Sequence, residues 1–284
     1  MRNLILIVVT VVFFQISFSQ IRGYDINIQT FTPSKLLSKG QWDVTWDNNL
    51  YTQTDNTDEA SSFPRENYFT SSIGAFTGMS RNDNWNFGLI LEVQSSTIGG
   101  RGFLDVLQFS QSATSRAGIT SFAPVVRFNP IVRKTNFTIQ SALRFPFLDN
   151  EVEDGIFLSQ TAFMFENRFL YDYTFSNENW QFFSELRTEY NFGDDDSFFN
   201  NTFVLEPIVY LSFFPAPDIS LLGFIQYQRR FGGSENRFIA LGGGAKYQIS
   251  KVMNFEILFR DIVKGAYSQG LGYSLNFGLR ALFL

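Results

Sequence analysis

Neither cysteine nor histidine occurs in the 284-residue chain. Without cysteine there is no disulfide framework, no zinc–thiolate site and no thiol nucleophile. Without histidine the commonest general base and the commonest transition-metal ligand are missing too. A basic excess is also lacking. Lys and Arg number 22 against 27 Asp and Glu, a net charge of −5 that argues against nucleic acid as a partner. Beyond residue 20 no run is long and apolar enough for a transmembrane helix. A mean hydropathy of −0.05 is too low for a helical membrane protein. What the chain has in abundance is phenylalanine, 35 residues, within an aromatic content of 18%.

The N-terminus points to export. Met1 and Arg2 precede an apolar run, Leu4–Phe14, broken only by Thr10 and too short to cross a bilayer as a helix. Ser17 and Ser19 occupy the −3 and −1 positions of a small-residue cleavage site. Residues 1–19 therefore read as a signal peptide, 20–40 as a periplasmic N-terminal segment and 41–284 as the folded unit.

An exported chain without apolar helices is either soluble or a transmembrane β-barrel, whose mark is alternation. Alternation is clearest at the C-terminus, where Leu271, Tyr273, Leu275, Phe277, Leu279, Ala281 and Phe283 share one parity, and Ser274, Asn276, Gly278 and Arg280 the other. Similar segments recur at Trp42–Thr52, Tyr68–Met79, Trp85–Ser96, Gly118–Asn129, Thr135–Phe147, Phe157–Phe175, Trp180–Phe192, Phe203–Phe214, Ile219–Phe231, Phe238–Ile249, Phe255–Val263 and Leu271–Leu284. Most exceed the length of a globular strand and suit a tilted membrane strand. The connectors alternate in length. Ser80–Asn84, Pro130–Lys134, Ser176–Asn179, Pro215–Asp218 and Ser250–Asn254 are short; Gln53–Asn67, Thr97–Ala117, Leu148–Ile156, Gly193–Thr202, Gly232–Arg237 and Lys264–Gly270 are mostly longer. Short turns on one side and long loops on the other are the layout of an outer-membrane barrel. The expected fold is all-β: one transmembrane antiparallel up-and-down barrel of about 12 strands. Both termini are expected on the periplasmic, short-turn side. Pro124, Pro146 and Pro207 fall inside these segments and mark bulges or strand ends. Gly242, Gly243 and Gly244 read as a barrel kink, since no Lys-Ser/Thr follows as in a phosphate loop.

Four segments carry a family resemblance: Lys35-Leu-Leu-Ser-Lys-Gly-Gln-Trp42, Asn49-Leu-Tyr-Thr-Gln-Thr54, Thr120-Ser-Phe-Ala-Pro124 and Gly244-Ala-Lys-Tyr-Gln-Ile249. They resemble a family of flavobacterial (Bacteroidetes) outer-membrane barrels of channel type. The resemblance implies the outer membrane of a Gram-negative bacterium and a barrel fold. It implies no catalytic or binding residues.

Parity assigns the faces. Trp42, Val44, Trp46, Phe87, Leu89, Leu91, Phe137, Ile139, Leu143, Leu221, Ile225 and Tyr227 are expected to face lipid. Aromatics near strand ends, such as Trp42, Trp85, Phe145, Phe147 and Trp180, suit interfacial girdles. The expected lumen acids are Asp43, Asp47, Glu92, Glu166, Asp172, Glu185, Glu189, Glu206 and Glu256. The expected lumen bases are Arg127, Arg144, Arg168, Arg187, Arg230, Lys246, Arg260 and Arg280. A one-residue slip would turn all of them to lipid, so the charges pin the register. Their near balance predicts ion pairs and water, with a lateral network through Glu166, Arg168, Glu185, Arg187, Glu189 and Glu206. Interleaved arginines would hold those carboxylates ionised, which argues against acid–base catalysis. No enzyme activity, cofactor or metal site is expected.

Among the loops, Asp55, Asp58, Glu59 and Glu66, then Asp149, Glu151, Glu153 and Asp154, then Asp194, Asp195 and Asp196 form acidic groups. They read as solvated loops with loose divalent bridging to lipopolysaccharide, and none matches a twelve-residue calcium loop. In the second loop, Phe103, Leu104, Val106, Leu107 and Phe109 follow Gly99-Gly-Arg-Gly102 with the spacing of a short amphipathic helix. Two readings stand for it: a constriction or partner-binding lid, or a loop packed on its own barrel rim. The function expected is passage of small polar solutes, with outer-membrane lipid and lipopolysaccharide as surroundings. The alternative is a non-transporting subunit of an assembly or secretion machine, docked to an outer-membrane protein partner.

Overall fold

The computed structural model describes residues 33–57, 62–80, 83–131, 135–233, 235–267 and 269–283. The expected signal peptide and cleavage site, Asp58, Glu59 and Leu284 lie outside them. The strands are β1 (Trp42–Asn56), β2 (Glu66–Gly78), β3 (Trp85–Thr97), β4 (Ser115–Phe128), β5 (Phe137–Pro146), β6 (Val152–Glu153), β7 (Ile156–Phe157), β8 (Phe163–Thr174), β9 (Trp180–Phe192), β10 (Thr202–Ala216), β11 (Ile219–Phe231), β12 (Asn236–Ser250), β13 (Met253–Ala266) and β14 (Gly270–Phe283). Twelve of them close an antiparallel barrel in the order β1-β14-β13-β12-β11-β10-β9-β8-β5-β4-β3-β2. The seam pairs the first strand with the last, from Trp42 opposite Phe283 to Asn56 opposite Gly270. The twelve-stranded barrel expected from alternation is the fold.

The faces follow from pairing, because residues directly opposite point the same way. Asp43, Thr45, Asp47, Asn49 and Tyr51 of β1 sit opposite Leu282, Arg280, Gly278, Asn276 and Ser274 of β14 on the inner face. On the outer face Ile73, Leu89, Leu221, Ile225, Leu241 and Ile257 remain exposed. A water-soluble barrel hides such residues; an apolar belt outside and charge within suit a barrel set in lipid. A charge on the belt carries a known penalty. Ile225→Arg should lower folding stability in bilayers by about 2–4 kcal/mol. The neighbouring inward change Gln226→Arg should cost far less. Bilayer refolding titrations of the two variants test the register, and equal losses would contradict it.

Connector lengths separate the ends only in part: the longest lie at one end, but two there, after β11 and β13, have four and three residues, fewer than the eight after β4 at the other. The turn end holds the connectors after β2, β4, β8, β10 and β12, the last two only two residues each. The loop end holds those after β1, β3, β5, β9, β11 and β13.

Two expectations about strands change. The segment Phe157–Phe175 is not one long strand. β8 starts at Phe163, and Ile156–Phe157 pairs instead with Val152–Glu153 in a separate hairpin turned by Asp154 (φ 52°) and Gly155 (φ 77°). Ile156, Leu158 and Ala162 are buried, so burial of these side chains displaces continuation of the ladder. The prolines interrupt single ladders rather than strands. Pro207 keeps its partner Leu186 on β9, whereas toward β11 the pairing skips from Leu205 to Ile208. Pro124 lies where β4–β5 pairing skips from Phe122 to Val125. Each lacks the N–H that the missing rung requires.

Candidate functional site

The lumen is the only place where charge, cavity and closure meet among the described residues. Its charges form a ladder of ion pairs. Asp43 is fully buried and accepts from Arg280 Nε (2.7 Å) and Nη2 (2.6 Å), with Arg127 Nη1 at 3.6 Å. Arg127 also donates to Gln140 Oε1 (2.7 Å) and lies 3.6 Å above the Phe76 ring. Further along, Arg168 grips Glu185 through two bonds of 2.6 and 2.7 Å. Arg187 reaches Glu206 at 2.6 Å and Glu189 at 3.2 Å. Arg144 pairs with Glu92 at 3.0 Å, and Lys246 with Glu256 at 3.5 Å. Arg260 donates to Ser274 and Gln226 instead of a carboxylate. Arg230 stands over the Phe199 ring at 4.3 Å. Asp47 and Glu166 line the cavity beside these pairs.

Between the walls lies a cavity of about 550 Å³. That is within the roughly 300–1,000 Å³ of small-molecule sites. A second space of about 250 Å³ sits toward the loop end. The two share Thr70, Glu92, Arg144, Glu166 and Arg187, which therefore form the neck between them.

Phe183 and Tyr210 line one side of the central cavity, and Phe224 continues their row on the inner face. Phe183, Tyr210 and Phe224 are direct cross-strand partners on β9, β10 and β11, with ring centroids 5.6 and 5.2 Å apart. Gly242 stands opposite Phe224, and a Cβ there would strike the Phe224 ring. The glycine run thus makes room for an inward ring. Parity carried this signal: Phe183 shares its face with Glu185 and Arg187.

Both mouths are crossed by chain. At the turn end, residues 33–41 run over the opening. Leu37 is buried against the inward-facing Phe76, Ala123, Val125, Ala142 and Leu282. Its backbone N–H donates to Asn86 Oδ1 (2.8 Å), and its carbonyl accepts from Asn86 Nδ2 (3.0 Å). Ser34 donates to Asp172 and accepts from Thr138, and Lys35 pairs with Asp172 at 3.0 Å. Asp172 therefore holds the N-terminal segment.

At the loop end, the connector between β5 and β8 dips inward. Phe157, Ser159 and Gln160 line the upper cavity. Gln94 donates to Ser159 (3.2 Å), and Gln160 to Asn191 (2.8 Å). Glu151 pins this connector: it accepts from Thr161 N (3.0 Å), Phe198 N (3.1 Å) and the Ser197 hydroxyl. Arg116 donates to the carbonyls of Glu151 and Asn150, both at 2.8 Å, and pairs with Glu153 at 2.9 Å. Glu151 belongs to an acidic group expected to be solvated, yet it is buried. Arg116 was hidden because Thr97–Ala117 reads as loop, whereas β4 starts at Ser115.

The second loop lies elsewhere. Val106 is fully buried against Leu50 and Phe69, with Phe103, Phe109 and Phe277 around it. Leu50, Phe69 and Phe277 share the outward parity of Trp46, Ile73 and Leu279, so the loop packs on the outside wall. It covers no part of the lumen. The cause is polarity: Thr52, Asn67 and Thr97 face outward here and are covered by it. Asn67 Nδ2 donates to Thr97 Oγ1 (3.0 Å) and to the carbonyls of Arg101 (3.4 Å) and Gly102 (3.3 Å). Gly99 and Gly100 (φ 76° and 77°) turn the chain back, and Leu104 and Leu107 remain exposed on its far side.

The geometry defines a transmembrane-type β-barrel with a polar lumen crossed by chain at both mouths. No protein-family profile and no curated sequence matches the chain. Among solved structures it is similar to an outer-membrane channel from Pseudomonas putida F1, with a TM-score of 0.70 and 9% identity over 89% of this chain and 99% of that one. It is also similar to the β domain of the Bordetella autotransporter BrkA, with a TM-score of 0.54 and 11% identity over 85% and 98%. At such identities the likeness extends to the fold.

Proposed function

We propose that the protein is an outer-membrane channel that passes small polar solutes and rests in a narrowed state. The observation that carries this reading is the cavity of about 550 Å³, lined by paired charges of both signs. Filled cores need no such space, and a wall of Arg–carboxylate pairs offers donors and acceptors to a hydrated solute without favouring one charge sign strongly. The aromatic pair Phe183 and Tyr210 adds a face for an apolar part of the solute. The two crossing segments limit the open diameter. The solved channel from Pseudomonas putida F1 shares the barrel and supports the reading by its fold. Planar-bilayer recording of the purified protein tests it. Discrete conductance steps are expected, and their absence from the native protein and from a folded variant relieved of both crossing segments would sink it.

The closures favour a second reading, a barrel that transports nothing and serves as a subunit of a larger outer-membrane assembly. The same recording separates the two.

The proposed orientation places both termini in the periplasm and the loop end outside. Because the chain has no cysteine, a single introduced one is unique. Asp195→Cys should react with a membrane-impermeant maleimide on intact cells, and Asn179→Cys should react only after lysis. The opposite pattern would invert the topology.

A further inference from the structure

The outer wall carries one feature that lipid burial opposes. On the outward face of β11 and β12, Arg229 and Arg237 are direct cross-strand partners. Opposed like charges about 5 Å apart at Cβ destabilise a sheet. On the next strand, Lys264 is the partner of Ile239, two residues from Arg237 on the same face. None of the three is ion-paired among the described residues. Asp261 also faces outward, but a layer lower, opposite Leu241 and Tyr273. Glu235 precedes β12 in the connector.

Aromatic rings hold the two guanidinium groups. Arg229 lies 4.5 Å from the Phe231 ring centroid and Arg237 5.3 Å from that of Tyr267. Stacking occupies the face of a guanidinium and leaves its N–H edge free, and that edge fits a phosphate in bidentate fashion. Height along the barrel selects the partner. Leu221 is level with the turn-end aromatics Phe213 and Trp180. Arg229 lies eight residues above Leu221 on the same face. At about 3.4 Å per residue and a tilt near 40°, that is roughly 21 Å. An outer-membrane apolar band is about 25 Å tall. The three cations therefore sit at the loop-end edge of the band, where lipid headgroups lie.

We infer that Arg229, Arg237 and Lys264 form a docking site for the phosphate groups of a glycolipid in the outer leaflet. The site rests on the orientation proposed above. A bound phosphate removes the repulsion between Arg229 and Arg237, and the acyl chains run down the apolar wall formed by Tyr227, Ile239 and Leu241.

The test uses the full barrel in mild detergent with rough lipopolysaccharide bearing both lipid phosphates, read by native mass spectrometry. Arg229→Gln/Arg237→Gln/Lys264→Gln should bind it at least tenfold more weakly than the native protein. The dephosphorylated glycolipid should bind the native protein as weakly as the triple variant binds the intact one. Heat-modifiable gel migration reports folding, and if the triple variant fails to fold, Arg237→Gln alone should still lose at least threefold. Equal binding by native and variant proteins, with Asp195→Cys labelled from outside, overturns the lipid site and leaves the orientation standing. An unlabelled Asp195→Cys overturns the orientation itself. Displacement of the glycolipid by millimolar inorganic phosphate would assign the cations to a free anion and overturn the glycolipid.

Discussion

Replacing residues 149–160 by a short Gly-Ser linker should raise single-channel conductance several-fold in planar bilayers. Deleting 102–111 should leave conductance unchanged. The first segment carries Phe157, Ser159 and Gln160, which line the upper cavity, and Glu151, which ties the connector to Ser197 and Phe198. Its removal is compatible with the barrel. The strands it joins are neighbours, with Arg144 opposite Met164, so a short linker reaches from Pro146 to Phe163. The second segment rests on the outer wall. Its loss would uncover Leu50, Phe69 and the buried Asn67, which affects stability in lipid but no part of the lumen. If the 149–160 variant folds and still does not conduct, the remaining barrier is the turn-end crossing at Leu37. Leu37→Ala combined with the linker then decides, and a silent double variant refutes a channel.

Asp43→Ala should be the most destabilising single substitution in the lumen, by about 3–5 kcal/mol. Asp43 is fully buried and is held by Arg280 at 2.6 Å, with Arg127 at 3.6 Å. Removing one partner of a buried ion pair leaves the other charges uncompensated, and that loss exceeds what the intact pair contributes. Asp43 also stands opposite Leu282 at the seam between the first and last strands, so its loss weakens barrel closure. Urea titration of refolded protein in bilayers measures the effect. A loss below about 1 kcal/mol would mean that water screens the triad as it screens surface pairs. Arg280→Leu should be costly for the same reason, since it leaves Asp43 with Arg127 alone at 3.6 Å.

The barrel was legible in the sequence because its causes are local and periodic. A strand in lipid must alternate, and a chain that alternates over twelve successive segments points to a closed barrel. Charges such as Glu185 and Arg187 on one parity make a one-residue slip prohibitive, so the face that each residue takes needs no tertiary information. Where alternation and propensity agreed only with a strand, as at Phe157–Thr161, the reading failed. Those residues are extended enough to continue β8, but Leu158 finds burial in the mouth instead.

Loop placement could not be read in this way. The run Phe103–Phe109 is apolar whether it covers a lumen or an outer wall; the outward-facing Asn67 and Thr97, whose hydrogen bonds needed a partner, decided between them. Glu151 looks like any acid in an acidic loop until Thr161, Ser197 and Phe198 converge on it from distant segments. The same holds for the three outward cations. Arg229, Arg237 and Lys264 are unremarkable in sequence, and only the pairing of β11, β12 and β13 sets them side by side. Sequence by itself determined what each strand turns toward water or lipid, because that follows from a period of two. Tertiary structure decided which loop closes the lumen and which charges meet, because those depend on contacts between residues far apart in the chain.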